Sequence, residues 1–154
     1  MDLLDALPAA RIVAPLEAAS RDEAVDALLA ILPIRPELRT VVRRAVFERE
    51  DELTTGIGGG VAIPHARVAG VPTLFLALGI APRGVDFHAI DGRPAHLVFL
   101  CVAGAEQSRE HAALLANLCS LLNDTARRDR LAGCRSAGEA AAIVASCAAA
   151  RARR

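Results

Sequence analysis

Lysine is absent from this chain of 154 residues, and so are tryptophan and tyrosine. Without lysine there can be no phosphate-gripping loop of the kind in which Lys and then Ser or Thr follow a glycine run. Four phenylalanines are the only aromatics, which leaves almost nothing to stack on bases, so nucleic acid is not an expected partner. The 18 basic residues, all arginine, are balanced by 18 acidic ones. The basic end, Arg151, Arg153 and Arg154, reads as a solvated helix terminus favoured by the macrodipole. Although 53% of the residues are hydrophobic, no apolar run approaches the ~20 residues of a membrane span. The N-terminus, MDLLDALPAARIV, is acidic where a secretory signal would be basic and lacks a continuous apolar core, so no membrane insertion and a cytoplasmic location are expected. Missing too is any C-x-x-C pair. Cys101, Cys119, Cys134 and Cys147 are widely spaced, which excludes a zinc knuckle and a thioredoxin-type motif and leaves all four as small buried hydrophobes.

What is present fits one domain, residues 1–154, with no repeat, low-complexity segment or linker to divide it. Ser20 and Glu23 form a capping box before a helical pattern over about 21–32. Pro36 suits the first turn of a second helix, with Leu38, Val41, Val42, Ala45 and Val46 on one stripe and an end near Arg49 to Asp51. The middle changes character. TLFLALGIA (73–81) and HLVFLCV (96–102) are short, nearly continuous apolar runs of the kind that strands buried on both faces show, VAI before Pro64 is a third candidate, and RIV near residue 12 a fourth. After Gly104 helical spacing returns in Leu114, Leu115, Leu118, Leu121 and Leu122. Ser136 and Glu139 make a second capping box before a final helix. Helices, then strands, then helices imply a sheet covered on both faces.

The stretch TTGIGGGVAIPHAR (54–67) invites a chemical reading. A dinucleotide fingerprint needs a strand before its glycines and a helix starting within them; here a helix precedes and a strand-like VAI follows. What is left is a loop whose bare backbone permits close approach, with Pro64 fixing φ and biasing Ile63 to an extended conformation, so that His65 is aimed. Neutral imidazole, with an unperturbed pKa of about 6.5, is a nucleophile at physiological pH, and phosphorus is its natural electrophile. Backbone N–H groups of a glycine loop, hydroxyls and a guanidinium are the usual suppliers of donors to a transferring phosphoryl group. Thr54, Thr55, Arg49 and Arg67 lie close in sequence. Phosphate contacts are therefore expected from Thr55 and from the loop at Gly58 and Gly60. A zinc site built from the four histidines is disfavoured, since no two of them stand at i, i+3 or i+4.

REDELTTGIGGGVAIPHAR resembles the signature of the fructose/mannitol-type enzyme IIA domains of the bacterial phosphoenolpyruvate-dependent phosphotransferase system, whose nitrogen-regulatory branch the TGIG opening resembles more. FHAIDGRPAHLVFLCVA is similar to that family's loop and central strand, and EHAALLANLCSLLND to its histidine-led helix. The resemblance implies an α/β fold with a mixed central sheet flanked by helices on both faces, an α/β/α sandwich like that of mannitol IIA. It makes His65 the phosphorylated residue, Arg49 the arginine of the signature and His111 the second active-site histidine. It implies a phosphocarrier that needs no metal or other cofactor. The donor would be an HPr-like phosphocarrier protein, and the acceptor a IIB domain or a regulated protein. Docking would use an apolar rim that Ala62, Ile63, Ala66 and Val68 are expected to supply. Gly59 departs from the pattern, standing where the family commonly has a polar residue such as asparagine. Ala112, after His111, replaces a usual leucine.

Other readings stay open on the residues alone. Arg49 at a helix C-terminus is favoured there as a plain cation. His111 near a helix start is expected to stay neutral in the positive helix-end potential and needs no burial. His88 and His96 are read as structural. A sugar-specific IIA component, a binding module that kept the fold and lost the chemistry, and a metal-dependent hydrolase using Asp86 and Asp91 are the competing functions.

Overall fold

The computed structural model describes residues 6–153. After a 3₁₀ turn at Ala9–Arg11 come β1 (Ile12–Val13), α1 (Arg21–Ala30), α2 (Pro36–Glu52), β2 (Gly56–Gly58), β3 (Val61–Ala62), β4 (His65–Val68), β5 (Phe75–Val85), β6 (Ala95–Gly104), α3 (Ser108–Leu122), α4 (Thr125–Ala132) and α5 (Ala137–Ala152). The two continuous apolar runs form the antiparallel pair β5 and β6, with Leu78 opposite Phe99 and Leu76 opposite Cys101. Their side chains alternate between two cores. Leu97, Phe99, Cys101 and Ala103 pack with Leu114, Leu118 and Leu121 of α3 and with Ala140 and Val144 of α5. Val98, Leu100 and Val102 pack with Val25 and Leu28 of α1 and with Val42 and Val46 of α2. A strand apolar on both faces must be covered on both, and this one is.

The sheet runs β1-β5-β6-β3-β2. β1 is parallel to β5, β5 antiparallel to β6, and β2 antiparallel to β3. The edge of β6 turned away from β5 carries two short strands in succession. β3 is parallel to it at Leu97 and Val98, and β4 is parallel to it from Cys101 to Gly104. Pro64 sits at the break between them, where its missing N–H costs no ladder bond. Its carbonyl still accepts from Cys101 N–H at 3.0 Å. The chain thus steps along β6 and delivers His65 at the start of a strand, not on the loop that the glycine run suggested.

Both capping boxes form: Glu23 N–H donates to the Ser20 hydroxyl and Glu139 N–H to that of Ser136, each at 3.2 Å, while the two glutamates accept from Ala19 and Arg135 N–H groups. α1 ends two residues sooner than its apolar pattern, and β5 and β6 run past the expected ends. Unanticipated were β2, β4 and α4, the last started by Asp124, whose side chain accepts from Arg127 N–H. One thiol departs from expectation. Cys101, Cys134 and Cys147 are buried, but Cys119 is exposed on the outer side of α3. Burial pushes the Cys101 thiol up to about 12. Arg153 donates to the Ala149 carbonyl at 3.3 Å; Arg154 lies outside the described residues, as do the first five of the N-terminal stretch. Among the described residues no helix is long and apolar enough to cross a membrane.

Gly104 ends β6 against the backbone of Val71. A Cβ built on it would lie 2.4 Å from the Val71 carbonyl oxygen, a contact that only backbone movement relieves. Gly104→Ala should therefore cost about 1–3 kcal/mol of stability, the usual range for overpacking. Urea unfolding curves check this; an unchanged midpoint would show that the β6–α3 junction yields freely.

Candidate functional site

His65 owes its position to the glycines. Gly58, Gly59 and Gly60 have φ of 85°, 63° and 79°, three successive left-handed residues that reverse the chain between β2 and β3, a conformation strained for almost any side chain. Asparagine tolerates it better than most residues, but glycine meets it without strain. From the turn the chain runs through β3 and Pro64 to His65, half-buried at the head of β4. His65 Nδ1 lies 2.8 Å from the Ile63 carbonyl oxygen. A carbonyl can only accept, so Nδ1 carries the proton and the Nε2 lone pair faces outward.

His111 stands opposite, in the first turn of α3, with ring centroids 5.3 Å apart and planes inclined by 49°. It is 8% exposed, and its Nε2 is buried without a hydrogen-bond partner. Burial first, then the charges of His65 and Arg67, push it down to about 4. The expected neutrality holds, but desolvation is its leading cause and the helix end is not needed for it. An orphaned buried polar atom costs about 1–3 kcal/mol, which marks Nε2 as a place for a ligand. Nothing from Gln107 caps α3, since that amide oxygen accepts from Gly104 N–H at 2.9 Å instead. The first N–H groups of α3 thus lack a side-chain acceptor at an end that favours anions.

Two guanidinium groups complete the arrangement. Arg49, in the last turn of α2, donates from Nη1 to the Leu53 carbonyl at 3.0 Å, as a helix-end cation would. Arg67, two residues beyond His65, donates to the Ser108 hydroxyl at the head of α3. Arg49, His65, Arg67, Ser108 and His111 line one open cleft of about 630 Å³, which Glu48 and Glu52 also border. A lone pair, an orphaned ring nitrogen, two fixed cations, a hydroxyl and a helix N-terminus suit a tetrahedral oxyanion in transit. Ser108 was not foreseen. Its signal was the S-R-E start of a helix directly after the Gly104 turn.

The remaining expected residues lie elsewhere. Thr55 is buried, and its hydroxyl and N–H both go to the Glu50 carboxylate. Gly58 and Gly59 border a second cleft with Asn123 and Arg128, and Gly59 N–H donates to Asp91 at 2.9 Å, a bond that lowers the Asp91 pKa. The Gly60 carbonyl accepts from the His96 and Leu97 N–H groups at 2.8 and 3.0 Å. None of the three lines the His65 cleft. The apolar rim is corrected: Ala62, Ile63, Ala66 and Val68 are only 0–6% exposed because their side chains belong to the two cores between the sheet and its helices, and the exposed large aliphatics among the described residues are Val41, Leu53, Ile57 and Ile90. His96 Nδ1 bonds the Ala81 carbonyl at 2.9 Å and His88 lies exposed beside Asp86. Both sit outside the cleft.

Residues 6–147 match the family model of the phosphoenolpyruvate-dependent sugar phosphotransferase system, EIIA 2. The chain is 36% identical over 109 residues, 70% of its length, to the fructose-specific EIIABC component of Bacillus subtilis, of which it spans 17%. It is 34% identical over 128 residues to a nitrogen regulatory protein of Bradyrhizobium diazoefficiens, covering 80% of this chain and 82% of that one. The crystal structure of nitrogen regulatory protein IIA-Ntr from Neisseria meningitidis superposes with a TM-score of 0.84 at 31% identity, over 92% of this chain and 98% of the other.

The depressed pKa of His111 carries a stability consequence. Between its ordinary 6.5 and its folded value of about 4, the unfolded chain binds the proton and the folded one does not. Stability from this group is therefore full above pH 6.5 and is lost as pH falls towards 4, by about 2 kcal/mol at pH 5. Urea titrations at pH 7 and 5 in phosphate-free buffer should show that drop in the wild type and a much smaller one in His111→Gln. Equal drops would mean that His111 is not held neutral by the fold.

Proposed function

Because the chain belongs to the EIIA 2 family of the phosphoenolpyruvate-dependent sugar phosphotransferase system, a family of phosphocarrier components, we propose that His65 Nε2 is its phosphoryl acceptor and that the chain serves the nitrogen-regulatory branch. The observation that carries the first part is the His65 ring, its Nδ1 held by the Ile63 carbonyl and its centroid 5.3 Å from that of His111, whose Nε2 has no partner, in a cleft that Arg49 and Arg67 also line. The donor is a phosphohistidine on an HPr-like protein or its nitrogen-branch equivalent. The His65 lone pair forms the new N–P bond in line as the donor's N–P bond breaks, and the departing imidazole keeps that electron pair. Positive charge gathers on the His65 ring, where the Ile63 carbonyl meets it at Nδ1–H.

The three phosphoryl oxygens are met by Arg49, by Arg67 with Ser108, and by His111 as an Nε2–H donor. His111 is effective there because, buried and neutral, it needs no solvent rearrangement when charge shifts between donor and acceptor nitrogens. Onward transfer to a IIB domain or to a regulated protein reverses the geometry. The regulatory branch is supported by the closer fit to IIA-Ntr of Neisseria meningitidis, with a TM-score of 0.84 against 0.75 for mannitol IIA of Escherichia coli. The work is carried out in the cytoplasm, where the donor proteins reside, and it uses no cofactor.

Incubation with phosphoenolpyruvate, enzyme I and the donor protein should add one acid-labile phosphate, seen by mass spectrometry, to the wild type and none to a folded His65→Ala; full labelling of that variant would sink the assignment. Arg49→Lys should not restore normal transfer, because lysine lacks the planar fork that matches phosphate oxygens. His111→Ala should still load, but on the order of 10²-fold more slowly, and onward transfer should suffer at least as much. Rapid-quench rates within twofold of wild type in both directions would make His111 a bystander.

A further inference from the structure

Glu50 is the neighbour of Arg49 on α2, yet it points inward: it is 3% exposed. A buried carboxylate is costly unless it is paired and hydrogen-bonded, and among the described residues no arginine stands within ion-pair distance of this one. All of its bonds go to a single residue. Thr55 N–H donates to it at 2.8 and 3.1 Å, and the Thr55 hydroxyl donates to the same carboxylate. The cleft chemistry does not touch Glu50, so its retention needs another account.

Thr55 leads directly to the nucleophile. Its carbonyl accepts from Ile63 N–H at 2.9 Å, across the open end of the β2–β3 hairpin, where Gly56 faces Ala62. Ile63 in turn offers its carbonyl to His65 Nδ1 at 2.8 Å. The chain on either side is also fixed, by Thr54 bonding the Phe87 carbonyl and by Pro64 bonding Cys101 N–H. We propose that Glu50 is the positioning residue of His65: through Thr55 and Ile63, its carboxylate places the carbonyl that keeps His65 in the Nδ1–H form with Nε2 open to the cleft. The α2 turn that presents Arg49 to the cleft outside therefore anchors the histidine from inside. The two ligands of the transferring group are registered to one another by consecutive residues of one helix. Buried polar groups that orient a functional side chain act in this way when their own bonds are complete.

The inference rests on His65 as acceptor only for its kinetic arm; its spectroscopic arm stands alone. The full chain is compared with Glu50→Gln, which keeps shape but loses one acceptor oxygen, and with Thr55→Val, which keeps shape but loses the hydroxyl. At pH 8, long-range ¹H–¹⁵N correlation of the histidine rings reads the tautomer of each, the His65 signals being identified by their loss in His65→Ala. The wild type should show His65 as a single Nδ1–H form. Both variants should show a mixture, with the His111 signals unmoved, and loading from the phosphorylated donor should slow by about tenfold or more. A His65 tautomer and a loading rate unchanged in both variants would overturn the proposal. Should Glu50→Gln fail to fold, Thr55→Val decides by the same two readings. If wild-type chain takes up no phosphate while the tautomer shifts in the variants, the positioning role stands and the acceptor role falls. Normal loading with an unmoved tautomer has the opposite meaning.

Discussion

β6 is apolar on both faces and carries β5 along one edge, and that constraint settles where everything else can go. Side chains leaving it alternately need helices above and below, and the free edge needs partners for its remaining N–H and C=O groups. Two short strands take that edge in succession, and β6 itself ends at Gly104, pressed against Val71, before α3 begins. His65 pairs beside Cys101 near that end, and the N-terminal turn of α3 rises a few residues later. The cleft is therefore a product of the sheet's edge, lined by β4, by the last turns of α2 and by the start of α3.

From that placement the electrostatics follow. A histidine opening a helix packed against a sheet is desolvated, so it stays neutral, and its Nε2 is left without a partner at the wall of the cleft. Gln107 folds back on Gly104 and does not cap the helix. Arg67 is on β4 and so emerges on the cleft side with His65, two residues earlier in the same strand, because alternate residues share a face. The strand geometry thereby places both His65 and one of the cations. A flexible loop would have fixed neither.

The architecture was legible wherever period and caps agreed. The runs 73–81 and 96–102 are apolar at every position because both faces are buried, and the capping boxes at Ser20 and Ser136 start their helices where the pattern placed them. β3 was legible as VAI before Pro64, but β4 was not, because its four residues pair only with β6, a long-range partner that no local window contains, and β2 was hidden because it is three residues, two of them glycine, paired only with β3. Ala62, Ile63, Ala66 and Val68 passed for a docking rim because residues around a glycine turn look exposed until the sheet packs against its helices and buries them. Arg49, His65 and His111 were marked by type and motif, and they do converge on one cleft. The glycine N–H groups do not join them there, since the φ values that the turn needs aim Gly59 at Asp91. Sequence order could not distinguish a glycine that binds from one that lets the chain turn.

A carrier differs from a phosphatase or a phosphate-binding protein in what its site must avoid. Donors that grip the ground-state phosphoryl group as firmly as the transition state would speed nothing and would leave the group stranded on the carrier. The cleft meets that demand by composition. Two arginines face it, but Glu48 and Glu52 border it as well, so the resting field is close to balanced. Arg67 donates to Ser108 and Arg49 to the Leu53 carbonyl, so each guanidinium is oriented by one bond and keeps other N–H donors free of it. His111 Nε2 has no bond at all in the resting site. The group with the least to lose on ligation is also uncharged, which favours oxygens whose charge is being redistributed over a static dianion. On the proposed role, selectivity for a moving charge over a resting one would allow His65 both to take and to release the phosphoryl group.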